Sequence, residues 1–311
     1  MTIAAAAEAP ITMGPIKNLG REKLPWSDAV WARIDRAVHD EGKRIWIGRR
    51  FLPVVPMVDA LTAPADTIGS QDGLLAVDEA AVTPLIEIWV EFALTKQQVE
   101  REAELCTAVT LATRAANVLA QGEDLLLLQG DAGFKESALV TEGRIHSRAG
   151  PGPAGLAIEG ALADPDKQVV EVPFNDPEAK SYGEESFGAV ADGYSRLQEH
   201  GHYGPYSLAF PTVPYADSHA PLKDTLIMPA DRILPLVDGR FYGTGTLPAF
   251  DGVLLSLGGN TLDLIVGRDA TTAFVQEDNE GLYRFRVFER FALRDKDRTG
   301  RVIFKFEKPP D

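Results

Sequence analysis

No feature constrains the fold of this chain more than residues 95–130, TKQQVEREAELCTAVTLATRAANVLAQGEDLLLLQG, which follow directly on an alternating stretch at 85–94. Thr95 and Gln98 form a capping-box pair. The hydroxyl accepts from a backbone N–H that has no partner inside a helix, while the amide reaches back to the N–H of Thr95. A helix is therefore predicted to start near Lys96. Leu105, Val109, Ala112, Ala116 and Leu119 recur at spacings of four, three, four and three, which stacks them in one apolar stripe facing a core. Thr110, Thr113, Arg114 and Asn117 fall largely outside it, and Ala108, Ala115 and Ala120 let a neighbouring element approach closely. The run LLLL at 125–128 is apolar all round, so the far end of the helix has to be deeply buried. Upstream, Ile86, Ile88, Val90, Phe92 and Leu94 alternate with Glu87, Trp89 and Glu91, the period of a strand with one face in a core. A strand feeding a long core helix, with a β-rich C-terminal half, points to an α+β chain.

The 311 residues suffice for one large domain or two ordinary ones, and 45% hydrophobic with 25% charged residues is the profile of a soluble globular protein. Lys plus Arg number 31 against 46 for Asp plus Glu, a net charge of −15, which opposes any sequence-independent grip on phosphate backbones. Nucleic acid is not expected as a ligand. A single cysteine, Cys106, excludes an internal disulfide framework and fits a reducing compartment. The N-terminal residues 1–17 are Ala-rich but lack a basic start, and Glu8 and Pro10 break their apolar run, so they read as a flexible arm and not a secretion signal. No run approaches the roughly 18 apolar residues of a membrane span. A cytoplasmic protein is expected.

In chain order, Ser27 is a plausible N-cap for a first amphipathic helix carrying Val30, Trp31, Ile34, Ala37, Val38 and Ile45. The run IGRRF at 47–51 is predicted to end that helix and pass into a strand. Residues 51–84 hold several prolines, glycines, valines and leucines, but beyond Phe51 no lysine or arginine. Such a segment builds no core of its own and suits an extended two-stranded arm that finds apolar partners elsewhere, for instance on another copy of the chain. Residues 131–180 are rich in Gly, Pro, Asp and Ala, with RAGPGPAG at 148–155 as the clearest loop. A further helix is predicted at 186–199, with Phe187, Val190, Tyr194 and Leu197 on one side, then a short strand at 207–210 and a loop and helix at 217–238. From Gly252 onward GVLLSL, LDLIVG, TAFVQED, LYRFRVFERFAL and RVIFKFE read as strands between GGN, DNEG and DKDRTG turns.

Catalytic constellations are scarce. Gly150, Gly152 and Gly155 satisfy G-x-G-x-x-G, but Pro151 and Pro153 each remove a backbone N–H that a phosphate cradle needs. No G-x-S-x-G elbow, H-E-x-x-H or Walker loop occurs. His200 and His202 read as a turn carrying surface histidines, since no cysteine accompanies them. Asp295, Asp297 and Gly300 read as a hairpin turn, because a calcium loop would need a sixth-position glycine and a closing glutamate. Cys106 reads as a core or near-core helix position. Glu123 and Asp124 point about 100° apart on a helix, which suits structural ion pairs better than an acid and base pair. No metal, cofactor or catalytic residue is assigned.

Taken together, NLGREKLPWSDAVWARID, IGRRF, PLIEIWVEFAL, AQGEDLLLLQG, HYGPYSLAF, FDGVLLSLGGNTLDLIVGRD and the closing VIFKFE resemble the encapsulin shell proteins, the linocin-like family with the HK97 phage capsid-like fold. The resemblance implies a flexible arm at 1–17 and a P-domain formed by the N-terminal helix at 18–50 and by 85–149, with residues 95–130 as its spine helix. It further implies an E-loop at 51–84, an A-domain at 150–250, and a C-terminal part at 251–311 returning to the P-domain. The arm before Asn18 and a longer polar stretch between Gly143 and Glu185 depart from the family pattern.

The function so implied is a self-assembling icosahedral nanocompartment shell, a homo-oligomer and not an enzyme, that encapsulates a cargo enzyme. The cargo would be a dye-decolourising peroxidase or a ferritin-like protein, bound by its C-terminal peptide against the N-terminal helix. The matching positions are Trp31, Ile34, Val38 and Arg49, with Val266 added, and each is equally readable as ordinary core. The five-fold pore loop maps to Lys223, Asp224, Thr225, Leu226, Ile227, Met228 and Pro229, of which Leu226 or Met228 is expected to narrow the opening. The alternative is the major capsid protein of a phage or prophage, which predicts DNA inside. The absence of lysine from 51–84 and the short segment before the first helix weigh against it. A peptidase or bacteriocin has no residue pattern behind it.

Overall fold

The computed structural model describes residues 19–71, 73–78, 81–149, 160–162, 168–174, 181–222 and 225–309. A 3₁₀ turn, Arg21–Lys23, leads into α1 (Asp28–Ile45). Ser27 occupies the N-cap, but its hydroxyl caps nothing and its carbonyl takes the first helical bonds, from Val30 and Trp31 N–H. The expectation that IGRRF ends this helix is corrected: Gly48–Phe51 is a separate short helix, α2, before β1 (Val54–Pro56). Then come β2 (Thr62–Pro64), β3 (Thr67–Gln71), β4 (Leu74–Asp78), β5 (Val82–Pro84) and β6 (Ile86–Thr95).

The capping box forms as read: Thr95 Oγ1 accepts from Gln98 N–H, and the Gln98 amide oxygen accepts from Thr95 N–H. The helix it opens does not run through to residue 130. It breaks into α3 (Lys96–Glu100), α4 (Glu102–Leu105) and α5 (Thr107–Glu136). The break is at Cys106, whose φ of 52° is left-handed. Glu102 is the physical reason: it is buried, and its carboxylate accepts from the N–H groups of Ala108 (2.7 Å) and Val109 (3.3 Å), so it caps α5 in place of a continuing turn. The stripe therefore starts one turn late. Ala112, Ala116 and Leu119 are buried, whereas Leu105 is 45% exposed and Cys106 half-buried. The 125–128 run is buried as expected.

The chain continues through α6 (Ala138–Thr141), β7 (His146–Ala149), β8 (Val169–Val172), α7 (Glu184–Glu199), β9 (Tyr206–Pro211), α8 (Thr212–Ser218), α9 (Pro229–Leu236) and β10 (Phe241–Thr244). It closes with β11 (Asp251–Ser256), β12 (Leu262–Glu277), β13 (Leu282–Asp295) and β14 (Arg301–Phe306). LDLIVG and TAFVQED, read as two strands, are one bulged strand, β12.

Among the described residues two five-stranded sheets form. The first runs β1-β12-β13-β6-β7, with β1 parallel to β12 and the remaining pairs antiparallel. Its inner face packs on α1 and α5 in one core. The second runs β10-β9-β11-β14-β8 and packs on α7 and α9 in another. The C-terminal residues, expected to return wholly to the helix-bearing half, are shared instead: β12 and β13 join the first sheet, β11 and β14 the second. The reason is register: β11 pairs with β9, so this segment belongs where Leu254 meets Leu208. From residue 51 to 84, β2 with β5 and β3 with β4 form two separate two-stranded sheets, the second an antiparallel ribbon, while β1 is built into the first five-stranded sheet. Among the described residues no helix is long and apolar enough to cross a membrane.

Candidate functional site

The surface formed where α1 and α2 lie on α5 holds every residue expected to meet a docking peptide except Val266, which lies in the sheet beneath. Trp31, Ile34 and Val38 follow helical spacing and turn inward onto the alanines of α5. At the end of α1, Trp46 folds back over Gly42, where a Cβ would stand 2.4 Å from the indole ring. The next residues are fixed by one carboxylate: Asp124 accepts from Ile47 N–H (2.9 Å) and Gly48 N–H (2.8 Å), capping α2. Burial pushes the Asp124 carboxyl up to about 7, against the pull of these two N–H groups.

Arg49 then enters an ionic cluster. Its guanidinium donates to Glu123 on α5 (2.8 Å from Nε, 2.5 Å from Nη2), to Asp269 on β12 (2.6 Å) and to Glu289 on β13 (2.8 Å), and its face lies 3.8 Å over the Trp46 ring. Burial opposes its charge, yet Glu123, Glu289 and Asp269 outweigh that and hold its pKa well above the usual value. Burial also opposes the charge of Asp269, but hydrogen bonds from His39 and Arg49 hold its carboxyl well below the usual range. Glu123 and Asp124 are thus structural, as read, although Asp124 serves as a helix cap and not an ion-pair partner.

Four of the five expected docking residues offer no free surface. Ile34, Val38 and Val266 are fully buried, packed in the core by α5 and the first sheet, and Arg49 spends its donors on three carboxylates. Trp31 is also a buried core residue, 5% exposed, but its edge borders an open groove of about 530 Å³ at the start of α1 with Arg21, Leu24, Trp26, Asp28 and Asp35. Arg21 makes a bidentate pair with Asp35 (2.8 and 2.6 Å), donates to Thr272 C=O, and lies 4.5 Å over the Trp31 ring. Trp26 stacks on Phe285 at 5.3 Å and donates to Val99 C=O. Sequence periodicity missed Arg21 and Trp26 because both precede the helix.

Of the pore-loop residues, Lys223 and Asp224 lie outside the described residues. Thr225, Leu226 and Ile227 are exposed, Leu226 by 93%, while Met228 is half-buried and Pro229 buried at the start of α9. Asp231 accepts from Met228 N–H (3.2 Å) and holds the loop's exit. The Gly150, Gly152 and Gly155 motif also lies outside the described residues.

His202 corrects the surface-histidine reading: it is buried, with Nε2 2.7 Å from Thr299 Oγ1, whereas His200 is exposed. Asp297 caps a short 3₁₀ turn between β13 and β14, in keeping with the turn expected there. Among the described residues no group of three or more His, Cys, Asp or Glu is arranged to hold a metal.

The family model "Encapsulating protein for peroxidase" (Linocin_M18) matches residues 16–153 and 151–292. The type 1 encapsulin shell protein EncA of Myxococcus xanthus is 26% identical over 294 residues, covering 89% of this chain and 93% of its own. Among solved structures, a virus-like particle from Pyrococcus furiosus aligns with a TM-score of 0.65 at 16% identity, over 88% of this chain and 99% of that one. A chain of Mycobacterium phage Bobi aligns at 0.55 and 13% identity, over 85% and 91%. The sheet, helix and ribbon arrangement is therefore the HK97 capsid-like fold, and a family model spanning nearly the whole described chain places this protein in the Linocin_M18 family of encapsulating proteins.

Proposed function

We propose that this protein is a shell subunit: many copies close into an icosahedral compartment in the cytoplasm that encloses a cargo enzyme, and the chain's own part is structural. The observation that carries this reading, beside family membership, is the β3–β4 ribbon. Leu74, Leu75 and Val77 are exposed there, Leu75 by 88%, on two strands that pair with neither five-stranded sheet and are tied to the rest of the chain by Ile68 N–H donating to Lys296 C=O (3.0 Å). An isolated two-stranded ribbon is marginal in water, and a cluster of bare leucines favours association. Its apolar partner is another copy of the chain, and repetition of that contact under closed symmetry builds a shell.

The family description names peroxidase as what is encapsulated, which supports a dye-decolourising peroxidase as cargo ahead of a ferritin-like protein. The cargo's C-terminal peptide docks along α1 in the groove whose floor is Trp31 and whose wall is Trp26. Ile34, Val38 and Val266 share the core with Trp31, and Arg49 ties α2, which follows α1, to α5 and the first sheet. The 223–229 loop lines the five-fold opening, with Leu226 or Met228 narrowing it.

Negative-stain imaging of the purified protein tests the reading. Regular hollow particles are expected, and monomers or irregular aggregates would overturn it. Co-expression of a fluorescent protein carrying the cargo peptide tests the groove: the Trp26→Ala, Trp31→Ala shell should still assemble but retain at least about tenfold less fluorescence. The phage-capsid reading is favoured by the fold alone, which phage chains such as that of Mycobacterium phage Bobi share. It requires nuclease-protected DNA in the particles.

A further inference from the structure

The inward face of β13 reads Phe285, Val287, Glu289, Phe291 and Leu293, so one carboxylate stands in an apolar row. Glu289 is fully buried, and the groups facing it come from every element packed there. α2 supplies Arg49, whose Nη2 reaches Glu289 Oε2 at 2.8 Å and Glu123 Oε2 at 2.5 Å. α5 supplies Glu123, also fully buried, with Asp124 beside it. β12 supplies Asp269, and behind it His39 of α1, whose Nδ1 lies 3.6 Å from the Asp269 carboxylate. β6 presents only Ile88 opposite Glu289.

One guanidinium thus holds three carboxylates, two of them without solvent, and two ionised carboxylates drawn onto a single Nη2 repel each other strongly at low dielectric. Their oxygens differ in one respect. Glu123 takes hydrogen bonds from Arg49 on both oxygens, whereas Glu289 Oε1 is buried and accepts from no donor. An ionised oxygen in that position is costly, while a protonated Glu289 has the neighbouring Glu123 carboxylate as its hydrogen-bond acceptor.

We propose that Glu289 is held as a neutral carboxylic acid donating a hydrogen bond to Glu123, and that loss of its proton at alkaline pH unlatches α1 and α2 from α5 and the first sheet. The proton leaves to hydroxide, and both buried carboxylates are then ionised against one Arg49. Outward movement of α2 admits water that solvates the two carboxylates, and Trp46, stacked on Arg49 and joined to α2 by one residue, moves with it. Burial, and after it the charge of Glu123, push the Glu289 carboxyl well above the usual range, in the direction this latch needs. The inference concerns the fold of the subunit and stands whether or not the chain forms a shell.

The test is an alkaline titration followed by tryptophan fluorescence, with Trp46→Phe as the control that assigns the signal. Glu289→Gln keeps a donor of the same shape and has no proton to lose. It should fold as the parent does at neutral pH and either lose the alkaline transition or move its midpoint up by at least about one pH unit. A midpoint identical to the parent's overturns the proposal. Infrared spectra of the unsubstituted protein, labelled with carboxyl-¹³C glutamate so that Asp124 does not contribute, keep the proposal testable if the variant folds poorly. A glutamic-acid carbonyl band present at neutral pH and lost across the transition is expected, and its absence at neutral pH overturns the assignment.

Discussion

Arg49 and Asp124 show how single residues fix the surface beside α1. Replacing Arg49 with Met would leave Glu123 and Glu289 buried without their cation, and breaking such a cluster from one side costs about 3–5 kcal/mol. Asp124 is the residue with a measurable pH signature, because its folded pKa of about 7 lies above its ordinary value of 3.8. A raised carboxyl stabilises the fold fully below its unfolded pKa, and that contribution is lost as pH rises through about 7. Asp124→Asn stays neutral and still offers an amide oxygen to Ile47 and Gly48 N–H. Its stability relative to the parent should therefore improve by about 1.4 kcal/mol per pH unit between about pH 5 and about pH 7. Urea midpoints across that range check this, and a constant difference would contradict it. The position of Glu289 was legible in LYRFRVFERFAL, where it breaks the parity of an otherwise apolar face. Its partners were not, because Arg49, Glu123 and Asp269 are far apart in the chain.

At the scale of elements, the break before α5 is set by a buried side chain and the bend near its end by the backbone. Glu102 caps Ala108 and Val109 from inside the core, so Glu102→Ala should lower stability by about 1–2 kcal/mol in chemical denaturation, and the conservative Glu102→Gln by less. Gly130 interrupts α5 with φ 71° and ψ −170°, a conformation open to glycine and strained for any other residue. Gly160 lies against the same point, where a Cβ would come within 2.3 Å of Gly130 N. Gly130→Ala is expected to cost about 1–3 kcal/mol and Gly160→Ala to be at least as damaging, because the atoms it would strike are backbone. A thermal unfolding midpoint unchanged in Gly130→Ala would show that the bend is not enforced there. The cap at Thr95 and the apolar run at 125–128 were readable locally. The interruption at Cys106 was not, since neither glycine nor proline marks it and the capping carboxylate acts across a turn of chain.

For the whole molecule, the ribbon and the two cores separate folding from assembly. Leu74→Asp with Leu75→Asp changes only side chains already in water, so the subunit should keep its unfolding midpoint while particles give way to small species in size-exclusion chromatography. Persistent particles would mean that the ribbon does not join subunits. Composition, the alternating strand at 85–94, the apolar stripe and the arm without basic residues are properties of neighbouring positions, and one-dimensional order suffices to read the α+β class and the arm from them. The division of the C-terminal strands between two sheets could not be read that way, because pairing β11 with β9 and β12 with β13 depends on which long-range registers bury the most apolar surface together. The same holds for the residues expected to meet a docking peptide. Helical spacing identifies Trp31, Ile34 and Val38 as one stripe, but only the packing of α5 behind them makes all three core and sets the edge of Trp31 against a groove.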